Sequence, residues 1–330
     1  MNKTLKIISI IVFKLLAINS IAKAEVKVVT SIKPIHSLVS YVMDGVGKPD
    51  IIVDGYNSPH NFSLKPSHAK MIEKANLIIW VGEDLEKFLE KPLKSISKEA
   101  VNIEIMDLKG IKKLKFREKN IFEGHDDHGH GHKEHKEHGH DEHKEHGHKE
   151  KKHDDHGHEG HAHGELDPHV WLDPMNAKVI VKEIENQLVK LDPNNSSKYK
   201  ANSKKAQSEL DNLTKNIKKD LKKDLRFVVF HDAYQYFENR FGIKVLGALT
   251  VNPDVLPGAE QLSEIREVIE HEKVNCLFSE PQFNPAIIKS ISKDTKIKTG
   301  VLDPLGATLD KGKGMYSNLL QNMYASFKGC

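Results

Sequence analysis

The sequence predicts an α/β protein of two similar lobes with parallel sheets, joined by a long rigid helix, with a metal site in the cleft between the lobes. Three observations predict it. Short aliphatic runs alternate with helical stretches in two separate blocks, the pattern of parallel sheets covered on both faces. A single helical stretch, residues 195–223, separates the blocks and would span about 45 Å if continuous. Residues of metal-binding type fall at the carboxyl ends of strands in both blocks, where parallel α/β sheets bind ligands.

In the first block, residues 26–30, 50–53, 77–81 and 101–103 read as strands, with helices at 35–43, 68–74 and 84–93. Residues 174–191 form an amphipathic helix broken by Asp192-Pro193. The second block has strands at 226–230, 244–249, 274–279 and 299–302, with helices at 234–241 and 258–272. The expected division is a signal peptide at 1–24, an N-terminal lobe at 25–193, a linking helix at 194–223 and a C-terminal lobe at 224–330.

Residues 1–24 have a basic start (Lys3, Lys6), an apolar run and the small-x-small signal Ala22-Lys23-Ala24, which predicts a secretory signal peptide cleaved after about Ala24. No Cys follows that signal, and no later stretch has the apolar length to span a bilayer. A free periplasmic protein is expected. Cleavage removes four lysines and no acid, taking the formal charge from +3 to −1. A near-neutral chain argues against a nucleic-acid partner. The two cysteines, Cys276 and Cys330, are even in number in an exported chain, so a disulfide is expected, with two free metal-binding thiols as the alternative.

Fifteen of the 21 histidines crowd into one charged run: His125, His128, His130, His132, His135, His138, His140, His143, His146, His148, His153, His156, His158, His161 and His163. Between Phe122 and Leu166, Ala162 is the single aliphatic residue. Such a segment, the loop 123–165, cannot bury enough apolar surface to offset ordering entropy. Its imidazoles instead offer many overlapping sites for a transition metal, an auxiliary collector.

A second, sparser set stands at strand ends. His60 follows the 50–53 strand, His169 precedes the 174–191 helix, His231 ends the 226–230 strand and Asp303 follows the 299–302 strand. Three neutral imidazoles and one oxygen make a tetrahedral zinc set, with Asp303 the less certain member because it could equally cap its own turn. Glu280 leaves another strand end and should face the cleft, where it could orient a ligating histidine. His36, His68 and His271 read as structural or surface residues.

The segments SIKPIHSLVS, SPHNFSLKPSHAKMIEKANLIIWVGEDLE, DPHVWLDP, FVVFHDAYQYF, VNPDVLPGAEQLSEI, FSEPQF and LDPLG make the chain resemble the periplasmic zinc-binding proteins of high-affinity zinc ABC importers, the ZnuA type. The resemblance runs along essentially the whole mature chain. It implies two α/β lobes joined by a long helix, zinc held between them and a charged His-rich loop nearby. By motif it implies His60, His169 and His231 as ligands, with Asp303 at the acidic position that completes the site in manganese-binding relatives. Those relatives carry Glu where this chain has His231. Some zinc members have Glu immediately before the first ligand; here that residue is Pro59. The cysteine placement also resembles the disulfide of the zinc group.

The expectation is therefore a monomeric extracytoplasmic binding protein, not an enzyme, that captures Zn²⁺ and delivers it to an ABC permease with its ATPase. Beside it stand a periplasmic zinc buffer or adhesin that never meets a transporter, and two further alternatives. One is a manganese or iron carrier of the same family. The other is a zinc hydrolase using three histidines and an open position; against it, the chain has no HExxH and no evident general base at the site.

Overall fold

The computed structural model describes residues 25–97, 99–122, 165–221, 225–253, 255 and 257–330. The expected signal peptide and the His-rich run lie outside the described residues.

Strands β1 (Val28–Ile32), β2 (Asp50–Val53), β3 (Leu77–Trp80) and β4 (Val101–Glu104) form a parallel sheet in the order β2-β1-β3-β4. Strands β5 (Arg226–His231), β6 (Lys244–Thr250), β7 (Cys276–Ser279) and β8 (Lys298–Val301) repeat that plan as β6-β5-β7-β8. The inner strands β1 and β3 are buried at every residue, as both-face coverage demands of such aliphatic runs. In β5, Phe227 and Val229 pack into a core continuous with the first lobe. Val228 and Phe230 turn to a separate cluster under the outer helices of the second lobe.

The crossovers of the first sheet are α1 (Lys33–Val42), α2 (Pro66–Lys74) and α3 (Glu83–Ser95). Helices α4 (Pro174–Leu191) and α5 (Ser196–Asp220) follow and pack against each other, with α5 also lying on α1. The long helix is thus a strut: its 25 residues run about 37 Å at the α-helical rise. Its buried stripe, Tyr199, Ser203, Ala206, Leu210, Leu213 and Ile217, keeps the helical repeat in an otherwise Lys- and Asn-rich sequence. The second lobe continues with α6 (Gln235–Phe241), α7 (Ala259–His271), α8 (Ala286–Thr295) and α9 (Met315–Lys328).

Helices α8 and α9 have no counterpart among the elements expected from the sequence, and β1 begins two residues later than expected. Helix α9 matters most, because it packs back on α1 of the first lobe. The Tyr316 hydroxyl donates to the Trp171 carbonyl at 2.5 Å, and Phe327 packs on Phe227 with centroids 4.8 Å apart. The Cys276–Cys330 disulfide, with a Cα separation of 5.9 Å, ties the end of α9 to β7.

Residues 112–122 form a strap from the first lobe to the second. Its backbone meets Asn176 at Lys112 and the Tyr236 hydroxyl at Leu114, then bridges antiparallel to β6 at Ile121 and Gly247. A Cβ at Gly247 would lie 2.8 Å from the Asn120 carbonyl, so the close approach requires glycine there. Lys115 bridges Leu166, so the described residues on both sides of the His-rich run are anchored.

Candidate metal centre

Each histidine of the strand-end set reaches the cleft by a different local device. His60 lies in the turn after β2, half-buried. The turn is built by the Asp54 carboxylate accepting the Gly55 N–H at 2.8 Å, by the Asn57 amide donating to the Asp54 carbonyl, and by the His60 N–H donating to Ser58 Oγ at 3.3 Å.

His169 belongs to the Asp-Pro-His-Val-Trp-Leu-Asp-Pro segment, whose two aspartates set its shape. Asp167 accepts the His169 backbone N–H at 2.9 Å and sits 2.7 Å from its ring Nδ1. Asp173 caps α4 through the Met175 N–H at 2.8 Å, and Arg240 holds the same carboxylate at 2.6 and 2.7 Å. Between them Trp171 is fully buried, its indole N–H donating to the Pro304 carbonyl at 2.8 Å. His231 is the last residue of β5 and is likewise buried. Its Nδ1 lies 2.6 Å from Glu280 Oε1, at the end of β7.

With both Nδ1 atoms facing carboxylates, the two Nε2 atoms point at one another, 3.4 Å apart. The His60 ring completes the group at centroid distances of 5.6 Å from His169 and 5.9 Å from His231. One ligand atom from each of the three lies within 4.8 Å of the others. Zinc–nitrogen bonds of about 2.0–2.1 Å place two tetrahedral ligands about 3.4 Å apart, so the buried pair already has the spacing of one tetrahedral edge. The surrounding walls are apolar, formed by Leu85, Trp171, Phe283, Pro304 and Leu305, around a cavity of about 10 Å³. That is room for one small body.

Burial holds the His169 imidazole well below its ordinary pKa, and the neighbouring His231 adds to the effect. Burial also pulls His231 down, but the Glu280 carboxylate, joined by Asp232 and Asp167, more than offsets it, leaving that imidazole above its ordinary value. Burial pushes Asp167 up to about 7, against the His169 N–H and the nearby Arg117 charge, which favour the carboxylate. The cleft thus presents one imidazole that stays neutral and one that holds its proton more tightly.

Asp303, expected as a possible fourth ligand, is not in that group among the described residues. Its Oδ1 accepts the Gln282 amide at 2.9 Å and the Leu305 N–H at 3.2 Å, while Oδ2 faces the Thr308 N–H at 3.3 Å. The carboxylate is occupied in shaping its own loop, the capping role that competed with ligation. Glu280, expected to face the cleft, lies with Oε1 2.6 Å from His231 Nδ1. Asp167 carries no expected role from sequence, although its place two residues before a histidine is the spacing at which a side chain can meet both the ring and the backbone. Asp232, the residue after His231, pairs with Arg117 of the strap at 2.8 Å. His36 bonds the Pro49 carbonyl, His68 accepts the Lys65 N–H, and His271 is exposed; all three stand apart from the cleft group.

Residues 28–330 match the family described as zinc-uptake complex component A, periplasmic (ZnuA). The chain is 46% identical over 314 residues to the high-affinity zinc uptake system protein ZnuA of Brucella abortus, covering 94% of this chain and 93% of that one. It is 36% identical over 320 residues to the protein of the same name from Yersinia pestis, covering 96% and 94%. A crystal structure of ZnuA shares the fold, with a TM-score of 0.69 at 21% identity over 91% of this chain and 98% of that one. No helix among the described residues is long and apolar enough to cross a membrane. The chain belongs to the ZnuA family of periplasmic zinc-uptake components.

Proposed function

We propose that this protein captures Zn²⁺ between its lobes in the periplasm and hands it to an ABC permease with its ATPase, performing no chemistry on it. The observation that carries the reading is the 3.4 Å approach of two buried imidazole Nε2 atoms, each backed by a carboxylate, with His60 alongside. Two facing lone pairs are unfavourable unless a cation or proton lies between them. His60, His169 and His231 are the protein's zinc ligands in this reading. The fourth position falls to an exchangeable ligand, since Asp303 is engaged by Gln282, Leu305 and Thr308.

Membership of a zinc-uptake family supports transport over hydrolysis. Three neutral nitrogens also suit zinc better than manganese, which favours oxygen donors. We divide the chain into a signal peptide cleaved after about Ala24, lobes at 25–193 and 224–330, and the helix 194–223 between them. It acts as a monomer, and the His-rich run is an auxiliary collector whose flanks are tied down beside the second lobe.

Native mass spectrometry with Zn²⁺ and Mn²⁺ in competition tests the reading. Wild type and a chain lacking residues 125–163 should each hold one tight zinc, and His231→Glu should shift preference towards manganese. Absence of a tight zinc equivalent in wild type, or manganese preference there, would overturn it.

A further inference from the structure

Lys33, the first residue after β1, is a buried cation at the interface between the lobes. Its side chain is 7% exposed. Its Nζ donates at 3.0 Å to each of the Gly306, Ala307 and Leu309 carbonyls, all on the segment that follows β8 in the second lobe. An ammonium has three hydrogens, so these three carbonyls use all of them. Its remaining neighbour is Asp54 Oδ1 at 3.6 Å, the residue that opens the turn carrying His60.

One helical turn later, Ser37 Oγ donates to the Gly312 carbonyl at 2.7 Å and accepts the Tyr316 N–H at 2.9 Å. The face of α1 bearing Lys33 and Ser37 thus grips the C-terminal segment twice. The gripped loop is specialised for it. Gly306 takes a left-handed φ of +67°, and a Cβ there would meet Met315 Sδ at 2.6 Å. The same loop supplies Pro304 and Leu305 to the wall of the metal cleft.

We propose that Lys33 is a positioning residue for metal capture: a buried, fixed cation that joins the His60 turn to the 303–309 loop and thereby sets the spacing across the cleft. The inference rests on the reading that His60, His169 and His231 hold zinc. Two of those ligands come from the lobe of Lys33 and the third from the other lobe. A tetrahedral set tolerates placement errors of only about 0.5 Å. Without the ammonium, three carbonyls would face a buried site with no donor. The loop would move to find water, taking with it the cleft wall and Lys311, whose Nζ holds the other Asp54 oxygen at 3.1 Å, while Asp54 Oδ1 would lose its 3.6 Å ion pair.

Lys33→Met keeps the length and the apolar stem while removing the donors. Zinc titration and hydrogen exchange of the apo protein should be read together. The expected result is one retained zinc equivalent with Kd raised on the order of tenfold or more and faster release. Exchange should quicken at 54–60 and 303–309, with the inner strands still protected; a merely structural loss would instead lower protection throughout. Should Lys33→Met fail to fold, Asp54→Asn serves, expected to raise Kd by a smaller factor and loosen 54–60. A folded Lys33→Met with wild-type Kd and release, or in the fallback Asp54→Asn with wild-type Kd, would overturn the proposal. Wild type binding no tight zinc would overturn the underlying zinc reading instead, and would be seen before any variant is made.

Discussion

The two lobes share a strand order yet end their matching strands in opposite chemistry. In the second lobe the inner strand β5 terminates in His231, a buried imidazole aimed into the cleft. Its counterpart β1 is followed at once by Lys33, whose ammonium is spent on three carbonyls of the facing loop. The first lobe delivers its cleft histidines from elsewhere: His60 from the turn after edge strand β2, and His169 from the segment leading into α4. Topology therefore supplies equivalent positions, and the side chain decides whether a position presents an imidazole to the cleft or carries a permanent cation. The second lobe offers a histidine built into a strand, while the first offers one on a turn and one on a motif stiffened by two aspartates.

Removal of the ligands should break that comparison most sharply. His169→Ala and His231→Ala should each weaken zinc beyond the roughly 10–100-fold typical of losing an orienting partner, because each deletes a bond to the metal. His60→Ala should also weaken it strongly, and His271→Ala, on the exposed end of α7, should leave affinity unchanged. Competition against a chelator of known affinity reads all four. Equal losses for the three cleft variants and His271→Ala would put the site elsewhere.

The next largest effect should come from the carboxylates behind the rings. Asp167→Asn and Glu280→Gln each keep the shape of the partner but remove its charge, so affinity should fall by about 10–100-fold without loss of the single equivalent. Asp167 also accepts the His169 backbone N–H and the Gln235 amide, whereas Glu280 Oε1 faces mainly His231. Asp167→Asn should therefore lower the melting temperature more, and Glu280→Gln should act more purely on the metal. The reverse pattern in calorimetry would show that the second lobe, not the first, depends on its carboxylate for shape.

Much of this was legible in sequence because the signals were local. Continuous aliphatic runs such as Leu77-Ile78-Ile79 admit one environment, and Pro174 after Asp173 marks a helix start on both sides. His60, His169 and His231 stand at strand or helix boundaries, so their convergence followed from the two-lobe plan. Asp303 did not follow. An aspartate after a strand reads alike as ligand or turn cap, and only the Gln282, Leu305 and Thr308 contacts separate the two. The grip of Lys33 on residues 306–309 was equally hidden, because its partners are backbone carbonyls about 270 residues away and carry no side-chain signature. Helix α9 left a readable stripe in Met315, Leu319, Met323 and Phe327, yet its packing on the first lobe depends on tertiary contacts.

pH offers a finer test, because the two buried imidazoles are shifted in opposite directions. Zinc binds the neutral ring. Below the raised pKa of His231 the metal must displace one proton, so affinity should fall by up to about tenfold per pH unit there and level off above it. His169, held well below its ordinary value, should contribute no second proton in the same range. Calorimetry in buffers of different ionisation enthalpy counts the protons directly. Proton release on the acid side should be larger by up to about one per zinc in wild type than in Glu280→Gln at the same pH; an unchanged count would show that His231 is not the group that charges. Glu280→Gln removes the group that raises His231, so the fall should move to lower pH.

The smallest expected effect on the metal, and a separate one on stability, belongs to the disulfide. Cys276 and Cys330 enclose a separation of 54 residues, for which chain entropy assigns about 4 kcal/mol of stabilisation. The paired change Cys276→Ala and Cys330→Ala should reduce the unfolding free energy by roughly that amount, since it also frees the end of α9. Zinc affinity should stay at the wild-type value. The grip of α1 on residues 306–316 lies at the opposite end of α9 and needs no covalent help. The measurement has a further use, because Glu280 lies just beyond the strand that Cys276 begins. If affinity falls along with stability, the orientation of His231 depends on how firmly β7 is held, and the second lobe's ligand is less independent of its frame than its place on an inner strand implies.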